Sequence, residues 1–320
     1  MQNKIKKVAI LVGGPSLEYE VSLESGENVL NNLPQDKYAG QKILIDQNGN
    51  WEISPEVISK NFSLAFIAMH GKYGEDGTVQ RILEEHKIPY TGSSPTVSAL
   101  AMNKFLSLRV FKSAGLNVPF TILLHKTHWQ KNAEYILKNI FLQIKKPWVI
   151  KPNNSGSSLG VKIVSQEEEL KEHLNFLFQE FNEVLVQEFI LGKEVTCGVV
   201  DFGHHSSAFP LLPTEIIPLQ RDFFDFQAKY DPNYHLEITP ARLPWPYLQE
   251  IRKIALFVHR LIQARHFSRT DMIIGQDKKI YVLEINTIPG LTKNSLLPQE
   301  AEKFNLPFAQ LLDMILKSVG

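Results

Sequence analysis

SRTDMII (Ser268–Ile274), a short polar turn around Asp277-Lys278, and then YVLEINTIPGLTKNSLLP (Tyr281–Pro298) form the most informative stretch of this 320-residue chain. Two apolar-rich strands joined by a turn make a hairpin. Closed at that turn, the hairpin sets Asp271 opposite Glu284 and Arg269 opposite Asn286, and the two-residue period of a strand puts all four on one face. Side-by-side carboxylates repel each other, and a divalent cation removes that cost. Asp, Glu and Asn oxygens are hard ligands, suited to Mg²⁺ held jointly with phosphate oxygens. An amphipathic hairpin with its charged face in water explains the two strands equally well. The continuation favours a site. Pro289-Gly290 permits close backbone approach, and Ser295 precedes an apolar segment as an N-cap does, so free N–H groups there can bind a carboxylate or oxyanion.

Working outward, VIKPNNSGSSLGV (Val149–Val161) is a strand running into a Gly/Ser loop. Glycines let backbone amides turn inward on a phosphate, and Lys151 can neutralise it. No G-x-x-x-x-G-K-[ST] motif occurs, so this is not a Walker loop, and taken singly it reads as a plain turn. GGPSLEYEVSL (Gly13–Leu23) follows the first strand without the G-x-G-x-x-G of a dinucleotide fold, and it places Glu18 at the carboxyl edge of a sheet. MHGKYGEDGT (Met69–Thr78) brings His70, Glu75 and Asp76 to the same edge. In VLVQEFILGKEVT (Val184–Thr196) a strand edge can meet a flat base and Glu194 a ribose. FFDFQAKYDP (Phe223–Pro232) lies in an aromatic- and Pro-rich stretch from Pro210 to Pro246, long enough to be a lid. For each of these runs alone the structural reading is the stronger one.

The chain as a whole bounds the answer. Lys plus Arg equals Asp plus Glu at 34 each, so no global basic field draws in nucleic acid or an anionic membrane. Cys197 is the single cysteine, which excludes an intramolecular disulfide and a Cys-rich zinc site and suits a reducing cytoplasm. The apolar run after Lys4, Lys6 and Lys7 is too short for a secretion signal, and no stretch approaches the ~20 residues of a membrane span. The length suits two or three packed subdomains.

The expected class is α/β with α+β lobes. Residues 1–93 alternate strands (Val8–Val12, Lys42–Ile45, Leu64–Ala68) with a helix bearing Leu23, Gly26, Leu30 and Leu33. Residues 94–186 open with a helical stretch from about Pro95 to Ala114. They continue with strands at Trp148–Lys151 and Val161–Val164, a helix opened by a Ser165/Glu168 capping box, and a strand from Val184 to Phe189. Residues 187–320 hold the lid stretch, a helix with Ile251, Ile254, Ala255, Val258, Leu261 and Ile262 on one face, the hairpin, and a last helix marked by Phe308, Leu311, Leu312 and Ile315.

Taken together and in this order, the runs resemble the D-alanine–D-alanine ligase family of ATP-grasp enzymes, from Val8 to the C-terminus. The resemblance implies an ATP-grasp fold of three subdomains: an N-terminal substrate-side domain, then central and C-terminal lobes with the nucleotide between them. It implies that Lys104 and Lys151 hold ATP phosphates, with Ser157 in the same loop. Gln187, Glu188, Phe189 and Ile190 border adenine, Glu194 binds the ribose, and Lys229 reaches the phosphates from the lid. Asp271, Glu284 and Asn286 hold two Mg²⁺ ions, which Mn²⁺ can replace. Glu18 grips the ammonium of the first D-alanine and joins Ser157 and Tyr230 in a trio that closes the lid. His70 lies beside the second substrate, Arg269 and the Gly290 amide stabilise the tetrahedral intermediate, and Ser295 with the Leu296 amide binds the second carboxylate. Gln187 departs from the Glu that the family commonly shows there, and Phe224 from a common Tyr.

The implied reaction is ATP-dependent, ADP-forming ligation of two D-alanines for peptidoglycan precursor and cell-wall synthesis, by a cytoplasmic homodimer. Its rivals are a relative taking D-lactate or D-serine as second substrate, and a non-catalytic nucleotide-binding module. Tyr230 speaks for D-alanine, because lactate-using members tend to replace it.

Overall fold

The computed structural model describes residues 5–156, 159–202, 208–219 and 235–319. Its chain begins with the strand β1 (Lys6–Gly13), whose last six residues are all buried, as expected for a parallel strand covered on both faces. β1 lies between β2 (Tyr38–Ile45) and β3 (Leu64–Ile67), both parallel to it, giving the order 2-1-3. The helix α1 (Tyr19–Asn32) connects β1 to β2 and packs closely on the sheet. A Cβ on Gly26 would overlap the Val12 side chain. The buried face of α1 is Ser22, Ser25, Gly26 and Val29, with Leu23 and Leu30 only partly covered. The expected leucine stripe is therefore rotated toward smaller residues, because the sheet sits too near for leucines. The buried serines are hydrogen-bonded: Ser22 Oγ accepts from the Gly13 N–H at 2.8 Å and donates to the Ala68 carbonyl at 2.8 Å.

Because β2 and β3 flank β1, the chain leaves β1 and β3 side by side at their carboxyl ends. That is the crevice where open α/β sheets bind ligands. The turn carrying Glu18 leaves one end and the turn carrying His70 leaves the other. α2 (Pro55–Asn61) and α3 (Thr78–Glu85) complete this first layer.

The stretch expected as one helix from Pro95 is two: α4 (Pro95–Met102) and α5 (Lys104–Ser113). Asn103 breaks it, leaving helical geometry so that its Oδ1 can accept from the Leu106 N–H at 3.0 Å. Lys104 thereby becomes the first residue of a new helix.

A four-stranded antiparallel sheet follows, in the order β4 (Thr121–His125), β7 (Glu183–Glu188), β5 (Trp148–Pro152), β6 (Lys162–Val164). One face is closed by α6 (Lys126–Gln143) and α7 (Glu167–Glu180), around Trp129, Trp148, Ile150, Leu174 and Val186. The expected capping box is absent, since α7 starts after Gln166 and no side chain caps it.

The third sheet runs β11 (His235–Ile238), β10 (Thr214–Pro218), β8 (Gly192–Val200), β12 (Phe267–Gly275), β13 (Ile280–Asn286), with β9 (Phe209–Pro210) also on β8. The flanks of the proposed lid are thus sheet strands. The rest of that stretch, with Phe224, Lys229 and Tyr230, lies outside the described residues, as does Ser157. α8 (Trp245–Leu261) covers the sheet with Ile251, Ala255 and Val258. α9 (Leu296–Lys303) and α10 (Phe308–Ser318) return to the first sheet and join its buried cluster through Leu297, Leu311, Leu312 and Ile315. Among the described residues no helix is long and apolar enough to cross a membrane.

Candidate active site

The β12–β13 hairpin pairs Asp271 with Glu284 and Arg269 with Asn286, as the sequence spacing predicts. It does so by a device that the spacing does not reveal. Near the turn Met272 pairs with Val282, and one step later Asp271 pairs with Glu284, so Leu283 is an extra, bulged residue. Ile280 and Val282 face the α8 core on one side of the bulge, and Ile285 does so on the other. Strict alternation would have sent Glu284 and Asn286 into that core; the bulge turns them to the opposite face.

On that face Arg269 donates to both oxygens of Asp271, from Nε at 2.9 Å and from the guanidinium end at 3.0 Å. Asn286 Nδ2 donates to Asp271 Oδ2 at 3.1 Å, and Thr196 Oγ1 to Oδ1 at 2.6 Å. This geometry fixes the carboxylate and supplies the fork-shaped partner that lysine cannot provide. Glu284 Oε2 lies 2.9 Å from Lys104 Nζ. Lys104 Nζ also donates to the Ser155 carbonyl of the glycine loop at 2.8 Å. Asn153 holds the two pieces together: its Oδ1 accepts from the Phe105 N–H at 2.9 Å and its carbonyl from the Lys104 N–H at 3.2 Å.

Between the middle and third sheets lies a cavity of about 820 Å³. Lys104, Lys151, Gly156, Gln187, Glu188, Phe189, Ile190, Glu194, Asp271 and Glu284 all line it. Strand alternation explains the set. In β5 and β7, Trp148, Ile150, Val184 and Val186 face the α6–α7 core, which leaves Val149, Lys151 and Gln187 for the other side. Lys151 is a buried cation at 7% exposure. Such a volume with apolar walls and lysines at one end suits a base and a chain of phosphates.

Among the described residues no grouping of three or more His, Cys, Asp or Glu would hold a metal. Asp271, Glu284 and the Asn286 amide oxygen therefore offer two carboxylates and one neutral oxygen. Mg²⁺ fits that short set because it usually takes one or two carboxylates and completes its shell with phosphate and water.

Sequence reading passed over three cavity residues. Lys193 Nζ donates to Glu215 Oε1 at 2.9 Å, and the Arg242 N–H donates to Glu215 Oε2 at 3.2 Å. No single segment carries this cluster: Lys193 lies on β8, Glu215 on β10 and Arg242 after β11, so only the pairing of the strands reveals it.

A second group lies beyond Gly156, at the edge of the cavity. A Cβ on Gly156 would stand 2.6 Å from Glu18 Oε2, and one on Gly71 2.5 Å from it, so two bare glycines receive this carboxylate. Glu75, unassigned by sequence, accepts from the Gly71 N–H at 2.9 Å. Burial, aided by the Glu18 charge, pushes its carboxyl up to about 8. His70 is buried and both ring nitrogens are engaged. Nδ1 donates to the Ile288 carbonyl at 3.2 Å and Nε2 accepts from Ser25 Oγ at 2.8 Å. Burial lowers its pKa, although the Glu18 charge opposes this, so the ring works as a neutral strap on the Ile288–Leu291 segment.

That segment leads to Gly290 and Ser295. Ser295 is the N-cap of α9 by position, yet its hydroxyl makes no cap bond. It accepts from the Thr292 N–H at 3.0 Å and sits so near Gly290 that a Cβ there would come within 2.7 Å of it. The first amides of α9, that of Leu296 among them, have no acceptor within the helix. Gly290, Ser295, Leu296, Arg269, Asn286, Glu18 and His70 do not line the 820 Å³ cavity. Arg269 and Asn286 adjoin it through their bonds to Asp271 and Glu18 through its contact with Gly156, while His70 is bonded to the Ile288 carbonyl of the segment that leads to Gly290 and Ser295.

Family models described as "D-ala D-ala ligase N-terminus" and "D-ala D-ala ligase C-terminus" match residues 7–62 with 54–93, and 110–317. A protein of Clostridium beijerinckii named D-alanine--D-alanine ligase is 36% identical over 313 residues, 97% of each chain. A solved D-Ala:D-Ser ligase, VanG of Enterococcus faecalis, superposes with a TM-score of 0.85 at 31% identity, covering 99% of this chain and 100% of its own. A D-alanine--D-alanine ligase of Bacillus anthracis solved with ATP superposes with a TM-score of 0.79 at 32% identity, covering 99% and 97%.

Proposed function

This chain belongs to the D-ala D-ala ligase family, and from that premise we propose that it joins two D-alanines at the expense of ATP, releasing ADP and phosphate. The single observation that carries the reading is the cavity in which Lys104 and Lys151 meet Asp271 and Glu284 beside a glycine loop. The relative solved with ATP supports a nucleotide as the ligand.

An amine does not displace oxygen from a carboxylate at neutral pH. Transfer of the γ-phosphoryl group to the first D-alanine carboxylate gives an acyl phosphate and ADP. The amine of the second D-alanine then attacks that carbonyl, loses a proton, and expels phosphate. Lys104 and Lys151 position and neutralise the phosphates, Gln187 to Ile190 border the base, and Glu194 takes the ribose. Asp271, Glu284 and Asn286 would hold Mg²⁺, which would supply charge neutralisation for the phosphates. Glu18 holds the first ammonium, and Ser295 with the α9 amides receives the second carboxylate. Arg269 and the Gly290 amide face the charge that develops at the tetrahedral centre. Ser157, Lys229 and Tyr230 take their roles from the family resemblance. A dimer in the cytoplasm serving cell-wall synthesis completes the reading.

The test is mass spectrometry of products after incubation with ATP, Mg²⁺ and a panel of D-amino and D-hydroxy acids. The expected product is D-alanyl-D-alanine, with ADP release that needs both Mg²⁺ and D-alanine. A product containing D-serine or D-lactate would assign the second subsite otherwise. ATP turnover indifferent to D-amino acids would overturn the ligase reading.

A further inference from the structure

Gln187 faces the cavity from β7, beside the apolar Val149 and Ile163. Its side chain is held from behind. Nε2 donates to Thr121 Oγ1 at 2.8 Å, and Thr121 Oγ1 in turn donates to the Pro119 carbonyl at 2.9 Å. A carbonyl can only accept, so the one proton of the Thr121 hydroxyl is committed to Pro119. Thr121 can therefore only accept from Gln187, and the amide nitrogen must point at it. The carbonyl Oε1 is then the one acceptor that Gln187 can offer the cavity, with the second amide N–H beside it, and the amide cannot exchange the two by turning over. The platform for this relay is rigid. Thr121 is the register partner of Gln187 in the β4–β7 pair, and Phe120 brackets the next residue. The Glu188 N–H donates to the Phe120 carbonyl at 2.9 Å, and the Phe120 N–H to Glu188 Oε1 at 2.7 Å.

We propose that Thr121 is a positioning residue for nucleobase choice: through the Pro119–Thr121–Gln187 relay it locks the Gln187 amide as an acceptor, which takes a 6-amino purine and rejects a 6-oxo purine. The inference rests on the reading of the cavity as a nucleotide site. A free glutamine amide can serve either purine by turning over, since its nitrogen donates as well as its oxygen accepts. The hydroxyl removes that freedom. With Oε1 fixed, the carbonyl oxygen of a 6-oxo base would meet another lone pair, with both acceptors desolvated.

The probe is inosine triphosphate, which differs from ATP at the 6-position and lacks the 2-amino group that would complicate GTP. The wild type should prefer ATP in kcat/KM. Thr121→Val, nearly isosteric and well suited to a strand, should raise the KM for ATP and narrow the ATP:inosine triphosphate ratio by roughly tenfold, the worth of one buried hydrogen bond. Thr121→Ser keeps the hydroxyl and should keep the ratio. Thr121→Val combined with Gln187→Glu should restore the preference for ATP, because a carboxylate can only accept. A general loss of fit at this strand would depress both nucleotides together and leave the ratio alone. Wild-type turnover of ATP with an unchanged ratio in Thr121→Val overturns this inference and spares the ligase reading. A wild type that turns over no nucleotide overturns both.

Discussion

Lys104 Nζ stands 2.9 Å from Glu284 Oε2, so the first residue of a helix from the middle of the chain is ion-paired to a strand near its end. The same ammonium reaches the Ser155 carbonyl at 2.8 Å, which makes Lys104 the join between the glycine loop and the acidic hairpin. Lys104→Met should raise the KM for ATP by roughly 10- to 100-fold, the worth of a charge-assisted hydrogen bond, and leave the KM for D-alanine nearly unchanged. Steady-state kinetics with each substrate varied in turn distinguishes the two. A change confined to D-alanine would remove Lys104 from the phosphate site.

Glu284→Gln keeps the shape of the side chain and removes its charge. Turnover should fall by at least about 100-fold, comparable to losing a main electrostatic contact at a reacting centre, with the remaining activity needing more Mg²⁺. A Mg²⁺ titration of initial rates reads this directly. Normal rates at normal Mg²⁺ would refute the metal assignment.

Gly156→Ala places a methyl group 2.6 Å from Glu18 Oε2. The carboxylate can yield only by turning away, so the KM for D-alanine should rise by about tenfold, equivalent to ~1.4 kcal/mol, with that for ATP little altered. Equal effects on both substrates would mean that the loop itself had been displaced.

The hairpin shows how far sequence reaches. Asp271 opposite Glu284 was legible from the turn and the two-residue period. The bulge at Leu283 was not, although the apolar residues signal it by changing parity, from Ile280 and Val282 to Ile285. The strands β1, β3, β5 and β7 were legible because each is an apolar run near a turn. The break at Asn103 was missed because the periodicity of Leu100, Ala101, Leu108 and Phe111 runs through it; a cap hydrogen bond decided the matter. Ser165 failed as a cap for the converse reason, a matching pattern without the bond. Lys193, Glu215 and Arg242 were illegible because their meaning comes from strand pairing rather than from neighbours in the chain, and Glu75 was legible in its place but not in its burial.

A fourth expectation concerns acid. His266 Nδ1 accepts from the Gly92 N–H at 2.9 Å, and burial, reinforced by the Arg265 charge, lowers its pKa from 6.5 to about 4. The unfolded chain then binds a proton more readily than the folded one. Stability from this group is complete above pH 6.5 and is lost as pH falls through about 4. The loss is on the order of 3 kcal/mol, at ~1.4 kcal/mol per unit. Asparagine tolerates the positive φ of 66° at this position and can accept the same hydrogen bond. His266→Asn should flatten the acid side of a Tm-against-pH profile. An unchanged profile would place the acid sensitivity elsewhere.

The closing helices complete the first sheet's buried cluster: Leu311, Leu312, Ile315 and Leu316 pack with residues of β1 and α1, and Asp313 bonds to both Lys37 and Tyr38. During synthesis the opening βαβ segment therefore leaves the ribosome with part of its apolar surface bare, and it must wait for about 250 further residues before α10 can dock. At translation speeds of ~5–20 residues per second that delay is tens of seconds at most, a window in which the nascent chain depends on holdase chaperones or on its own marginal stability.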